Sequence, residues 1–101
     1  VSGTNYQAVY RKLKDSVNTE GMSELYKKGY DAYQARDFEA ARDYLTQCLV
    51  IDPDYPDAMF WLGLSYHNLG DREKAFQYYD RLIAEFPELS YAQRAAELKN
   101  E

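Results

Sequence analysis

One cysteine, Cys48, and one histidine, His67, are all that this 101-residue chain has of the side chains that most often bind transition metals. A lone cysteine forms no internal disulfide and no multi-cysteine metal site. Basic residues are also short: twelve Lys and Arg against seventeen Asp and Glu, for a net charge of −5 and a pI near 4.8. Nucleic acids bind proteins through clustered Lys and Arg that release phosphate counterions, and no such cluster is present, so no nucleic-acid partner is expected. No apolar run approaches the roughly 20 residues that span a bilayer, so this segment should not insert into a membrane. The chain opens Val1-Ser2-Gly3 with neither an initiator Met nor a signal-peptide pattern. That is expected of a piece of a longer or processed protein, with any anchor elsewhere. Phosphate-cradling glycine loops, paired catalytic carboxylates and nucleophile motifs are missing too, so neither an enzyme nor a bound cofactor is expected.

Aromatic rings, by contrast, are abundant: eleven Tyr, four Phe and one Trp. So much ring surface exceeds what a small core needs, and some of it should line a surface. The dominant pattern is an internal repeat. Sliding the chain by 34 residues brings Gly29 onto Gly63, Asp37 onto Asp71, Ala41 onto Ala75, Tyr44 onto Tyr78 and Pro53 onto Pro87. Tyr26 then meets Phe60, Leu45 meets Tyr79 and Leu49 meets Ile83. Each unit reads as helix, tight turn, helix and loop, with first helices over 22–35 and 56–69 and second helices over 38–51 and 72–86. Gly29 and Gly63 sit mid-helix, where glycine costs about 1 kcal/mol against Ala. That cost points to a close helix approach, with Ala41 and Ala75 as the small facing residues. Asp37 and Asp71 suit N-caps, Gly70 a left-handed helix end, and Pro53 and Pro87 helix stops.

The stretch Trp61-Leu62-Gly63-Leu64-Ser65-Tyr66, followed by Gly70-Asp71, Ala75, Tyr78-Tyr79 and Pro87, resembles a tetratricopeptide repeat (TPR). The first unit is looser: Gly29, Asp37-Phe38, Ala41, Tyr44 and Asp52-Pro53 fit. Lys28 stands where the family usually has leucine and Arg36 where it has glycine, and Leu25 and Met59 replace a favoured Trp. The resemblance implies an all-α solenoid of antiparallel helical hairpins wound as a right-handed superhelix, with a protein or peptide as partner. Repeats one and two then cover 22–55 and 56–89.

The flanks extend the pattern to about six helices. In 1–21, Tyr6, Val9, Tyr10, Leu13 and Val17 make one apolar helical face over 4–18, with Thr4 and Gln7 as a capping box. This segment is either a packed half-repeat or the end of an upstream coiled coil. In 90–101, Ser90 and Gln93 form a second capping box, and the helix should close the open end of the array. The phrase Phe86–Ala92 is similar to the close of TPR domains in bacterial cell-envelope proteins, which implies a bacterial extracytoplasmic setting.

In the family, successive first helices line the concave surface. Helical spacing places Tyr26, Tyr30 and Tyr33 beside one another there, with Phe60, Leu64 and His67 at equivalent positions and Tyr91 and Arg94 closing the groove. A ring stripe at helical spacing is ordinarily core. Here Leu25, Gly29, Ala32, Met59, Leu62, Gly63 and Tyr66 already fill the core positions, which leaves the stripe for partner binding. Tyr26 and Tyr30 stand where the family's carboxylate clamp carries Lys and Asn. An acidic chaperone tail is therefore a poorer ligand than an apolar or aromatic segment with a few basic residues. His67 reads as a polar groove residue, and Cys48 as a buried, inert thiol. Asp52, Asp54 and Asp57 read as capping and solvated carboxylates rather than a calcium loop. Trp61 is either a groove-edge anchor or an inter-repeat packing residue. Homodimerisation through uncovered faces, as a structural role, is the competing reading to peptide binding.

Overall fold

The computed structural model describes residues 21–101, and these are all-helical. The expected helix over 4–18, with its Thr4–Gln7 cap, lies outside the described residues. Five helices follow: α1, the helical residues 21–34; α2, Phe38–Ile51; α3, Pro56–Asn68; α4, Arg72–Glu85; and α5, Ser90–Lys99.

The boundaries come from local chemistry. Both hairpin turns close in the same way, 34 residues apart. The Asp37 N–H donates to the Ala32 carbonyl and the Asp71 N–H to the Tyr66 carbonyl, each at 2.9 Å, which caps α1 and α3. The residue before each aspartate is left-handed, Arg36 at φ 65° and Gly70 at φ 88°. The aspartates then turn to the helix that follows. Asp37 Oδ1 accepts from the Ala40 N–H at 3.2 Å, and Asp71 Oδ1 from the Lys74 N–H at 3.1 Å. Helices α2 and α4 stop at the residues before Pro53 and Pro87, and Pro56 occupies the first turn of α3. One expected cap does not form. Leu89 is the N-cap of α5 and makes no side-chain cap bond, so Ser90 is already inside the helix. The turn after Pro87 explains this, since the Leu89 N–H donates to Phe86 and helical bonding starts with Ala92 N–H on Leu89.

Packing is sequential. Helix α3 lies against both α2 and α4, α4 against α5, and α3 touches α5. Tyr30 and Tyr33 of α1 meet Trp61 of α3, so α1, α3 and α5 share one layer, with α2 and α4 in the other. Two cores result. One holds Ala41, Leu45, Cys48, Ala58 and Leu62; the other holds Met59, Phe60, Ala75, Tyr79, Leu82, Ala95 and Leu98. Leu49, Trp61, Tyr66 and Tyr78 pack against both and join them.

The mid-helix glycines do mark close approaches, but large residues face them. A Cβ on Gly29 would lie 2.6 Å from Leu45 Cγ, and one on Gly63 would lie 2.7 Å from Tyr79 Cε1. Ala41 and Ala75 sit one turn earlier, fully buried. Surface ion pairs add little. Lys27–Asp31 is typical, with side chains 77% and 59% exposed, and such pairs contribute about 0.3–0.5 kcal/mol. The chain is held instead by its apolar layers, helped by polar contacts between elements. Arg81 Nη2 donates to the Pro53 carbonyl at 3.1 Å while pairing with Asp54 and Glu85, which ties the inter-repeat loop to α4.

Candidate functional site

Side by side, α1, α3 and α5 carry an unbroken string of rings. Tyr55 meets Tyr26 edge-on at 5.4 Å, Tyr26 lies 6.3 Å from Tyr30, and Tyr30 meets Trp61 edge-on at 5.0 Å. Trp61 meets Phe60 at 5.2 Å, and Phe60 stacks on Tyr91 at 4.8 Å. Tyr33 joins from the side, 5.1 Å from Trp61 and 5.3 Å from Phe38. The helical period explains the α1 members, which recur every three or four residues on one face. The neighbouring helix supplies the rest.

Exposure grades along the string. Tyr30 is the outermost ring at 37% exposed, while Phe60 is 7% exposed and lies on the floor under Tyr91. Tyr26, Tyr33, Tyr55, Trp61 and Tyr91 are half-buried. Trp61 is the hub, touching Tyr30, Tyr33 and Phe60. Its indole N–H is buried and has no acceptor in hydrogen-bond geometry among the described residues. An unmet buried donor costs about 1–3 kcal/mol. Each aromatic pair returns about 0.5–1.5 kcal/mol, so three pairs suffice to hold the indole in place.

Polar groups fringe the rings. The Tyr91 hydroxyl donates to Asp57 Oδ2 at 3.2 Å. Burial first, and then the Asp57 charge, pushes up the pKa of Tyr26, Tyr91 and Tyr55, the last to about 12. Asn68 Nδ2 bridges to the Tyr33 hydroxyl at 3.2 Å and the Leu64 carbonyl at 2.8 Å.

Of the residues expected to bind a partner, Tyr26, Tyr30, Tyr33, Phe60 and Tyr91 come together in the ring string, and Leu64 is half-buried beside them. His67 is turned toward α4. Its Nδ1 is 3.1 Å from the Tyr79 hydroxyl and its ring lies edge-on to Phe76. Arg94 is exposed and engaged by Glu97 at 3.3 Å and Glu101 at 4.0 Å. Cys48 is fully buried, its thiol donates to the Met22 carbonyl at 3.6 Å, and burial lifts its pKa to about 11. Among the described residues, no three His, Cys, Asp or Glu are grouped to hold a metal, and no helix is long and apolar enough to cross a membrane.

Three members of the site were not assigned from sequence: Tyr55, Asp57 and, as the hub, Trp61. Trp61 aligns with Lys27 across the repeat, so the internal comparison hides it. Tyr55 lies in a loop, outside any helical period. The signal for Trp61 was its own surface, the largest in the chain, on the helix that lines the site.

The family model for the tetratricopeptide repeat matches residues 26–90, well over half of the chain. That match concerns the repeat itself and gives no support to the cell-envelope likeness of Phe86–Ala92. No curated protein and no solved structure matches the chain.

Proposed function

The chain belongs to the tetratricopeptide-repeat family, whose repeats generally mediate protein–protein interaction and are typically non-catalytic, and from that premise we propose that it binds a peptide segment of a partner protein along the ring face of α1, α3 and α5. The observation that carries this reading is the ring string running from Tyr55 to Tyr91, open at Tyr30. Among the described residues, neither core includes the Tyr30 ring, which supports a role for it in contact. Tyrosine and tryptophan are stiff, large and partly polar, the properties of residues that dominate interface energies. The segment that suits this face is apolar or aromatic.

The competing role, homo-oligomeric assembly, has less behind it. Among the described residues, the other exposed large apolar side chains, Val50 at 77% and Leu69 at 37%, belong to α2 and to the end of α3. Scattered single residues do not make an oligomer interface.

The test is peptide selection from a random display library on the full chain, followed by affinities for Tyr30→Ala. Trp61, the one tryptophan and the hub of the face, reports binding by its own fluorescence. Tyr30→Ala should weaken a selected peptide by at least about tenfold, equivalent to about 1.4 kcal/mol. Unchanged affinity with unchanged helical circular dichroism would place the site on another face. Tyr30 is the better probe than Phe60, because removing a 7%-exposed ring damages the core as well.

A further inference from the structure

We propose that Asp57, which accepts from the Tyr91 hydroxyl at the edge of the ring face, is the recognition point for a basic side chain, Arg or Lys, of the bound segment. This rests on the peptide-binding reading of the ring face and names the chemistry of its ligand.

Asp57 stands in the first turn of α3, half-buried, within reach of the Tyr91 hydroxyl of α5. It differs from its two loop neighbours in what it does. Asp52 Oδ1 accepts from the Asp54 N–H, and Asp54 pairs with Arg81. Asp57 takes one bond from the Tyr91 hydroxyl. Its charge acts on three phenols, contributing to the raised pKa of Tyr26, Tyr55 and Tyr91. Cations of the described helices pair with other carboxylates: Lys27 with Asp31, Lys28 with Glu24, Arg81 with Asp54 and Glu85, and Arg94 with Glu97. Among the described residues, no Lys or Arg forms an ion pair with Asp57.

A carboxylate at the edge of a ring face has a definite preference. Ring faces carry negative potential and attract cations, most strongly where water is partly excluded. A guanidinium lies flat on such rings while its N–H fork meets the carboxylate, and an ammonium does the same as a point charge. An acidic segment meets repulsion at this point and again from the net charge of −5. The fitting partner is therefore an apolar or aromatic stretch interrupted by one basic residue.

Asp57→Asn tests this while keeping an acceptor for Tyr91. Short random peptides would be selected by display on the full chain, on Asp57→Asn and on Tyr30→Ala. The full chain should enrich apolar peptides with Arg or Lys at one position, and Asp57→Asn should keep the apolar preference and lose the basic one. A synthetic Arg→Gln twin of a selected peptide should bind the full chain at least about tenfold more weakly, and Asp57→Asn no differently from its parent. If apolar peptides emerge without a basic position, or the basic preference survives in Asp57→Asn, the cation site is overturned and the ring face stands. Selection indifferent to Tyr30→Ala removes the ring face and Asp57 with it. Failure of all selection, with mass rising with concentration, makes a second copy the occupant and overturns the proposal.

Discussion

Arg36 and Gly70 occupy the same point of their hairpins and differ in what the backbone asks of them. Both are left-handed, at φ 65° and φ 88°. A side chain in that region costs about 1–2 kcal/mol, which glycine avoids. Arg36→Gly is therefore expected to raise stability by up to about 1 kcal/mol, the remainder being offset by the freer unfolded chain. Gly70→Ala should lower it by about 1–2 kcal/mol, although the space around Gly70 is open. Urea denaturation of the two variants measures both, and opposite signs are the expected result. This position was legible in the sequence, because the repeat sets Arg36 opposite Gly70 and an adjacent aspartate caps the next helix in both units. Asp57 was not legible in the same way. Its carboxylate looks like its neighbours Asp52 and Asp54 until Tyr91, from another helix, is placed against it.

Each hairpin depends on one glycine that lets a large residue cross close to the helix. The glycine was evident from its period, and the need for a close approach follows from its cost in a helix. Which residue fills the gap was not evident, because the short Ala41 and Ala75 seemed the natural complement. Leu45 and Tyr79 fill it instead, and both are fully buried. Gly29→Ala and Gly63→Ala should each destabilise the chain by up to about 2 kcal/mol, since overpacking costs about 1–3 kcal/mol and alanine returns about 1 kcal/mol of helix propensity. The shift in denaturant midpoint tests this, and a stabilised variant would contradict the contact. Helix α5 follows the same logic of contact over local signal. Ser90 and Gln93 carry the letters of a capping box, but Leu89 caps the helix. Ala92, Ala95 and Leu98 are buried at the end of the array, so packing sets its position.

Taken whole, the described molecule is two cores joined through Leu49, Trp61, Tyr66 and Tyr78, with buried hydroxyl and thiol groups throughout. That composition makes stability sensitive to alkali. Burial raises Tyr55 to about 12 and Cys48 to about 11, and lifts Tyr79 and Tyr91 as well. In the unfolded chain these groups ionise near their ordinary values, about 10 for Tyr and about 8.5 for Cys. Below those values both states hold the proton and stability does not change. Above them the unfolded chain loses protons that the folded chain keeps, so stability should fall as pH rises from about 9 to about 12. Thermal midpoints across that range measure the slope. A flat profile would mean that the phenols are not buried as described.

Repeat length, the ends of α2 and α4 at their prolines and the Asp37 and Asp71 caps were set by the sequence alone, because each depends on residues a few positions apart. A proline stops its own helix, an aspartate caps the next three residues, and apolar spacing defines a face, whatever the rest of the chain does. The tertiary structure decided what crosses between helices. It set Leu45 and Tyr79 against the glycines, covered Phe60 with Tyr91, made Trp61 the hub of the ring string and brought the Tyr91 hydroxyl onto Asp57. Those meetings join residues tens of positions apart, and they depend on helix approach and side-chain rotamers that no local pattern encodes.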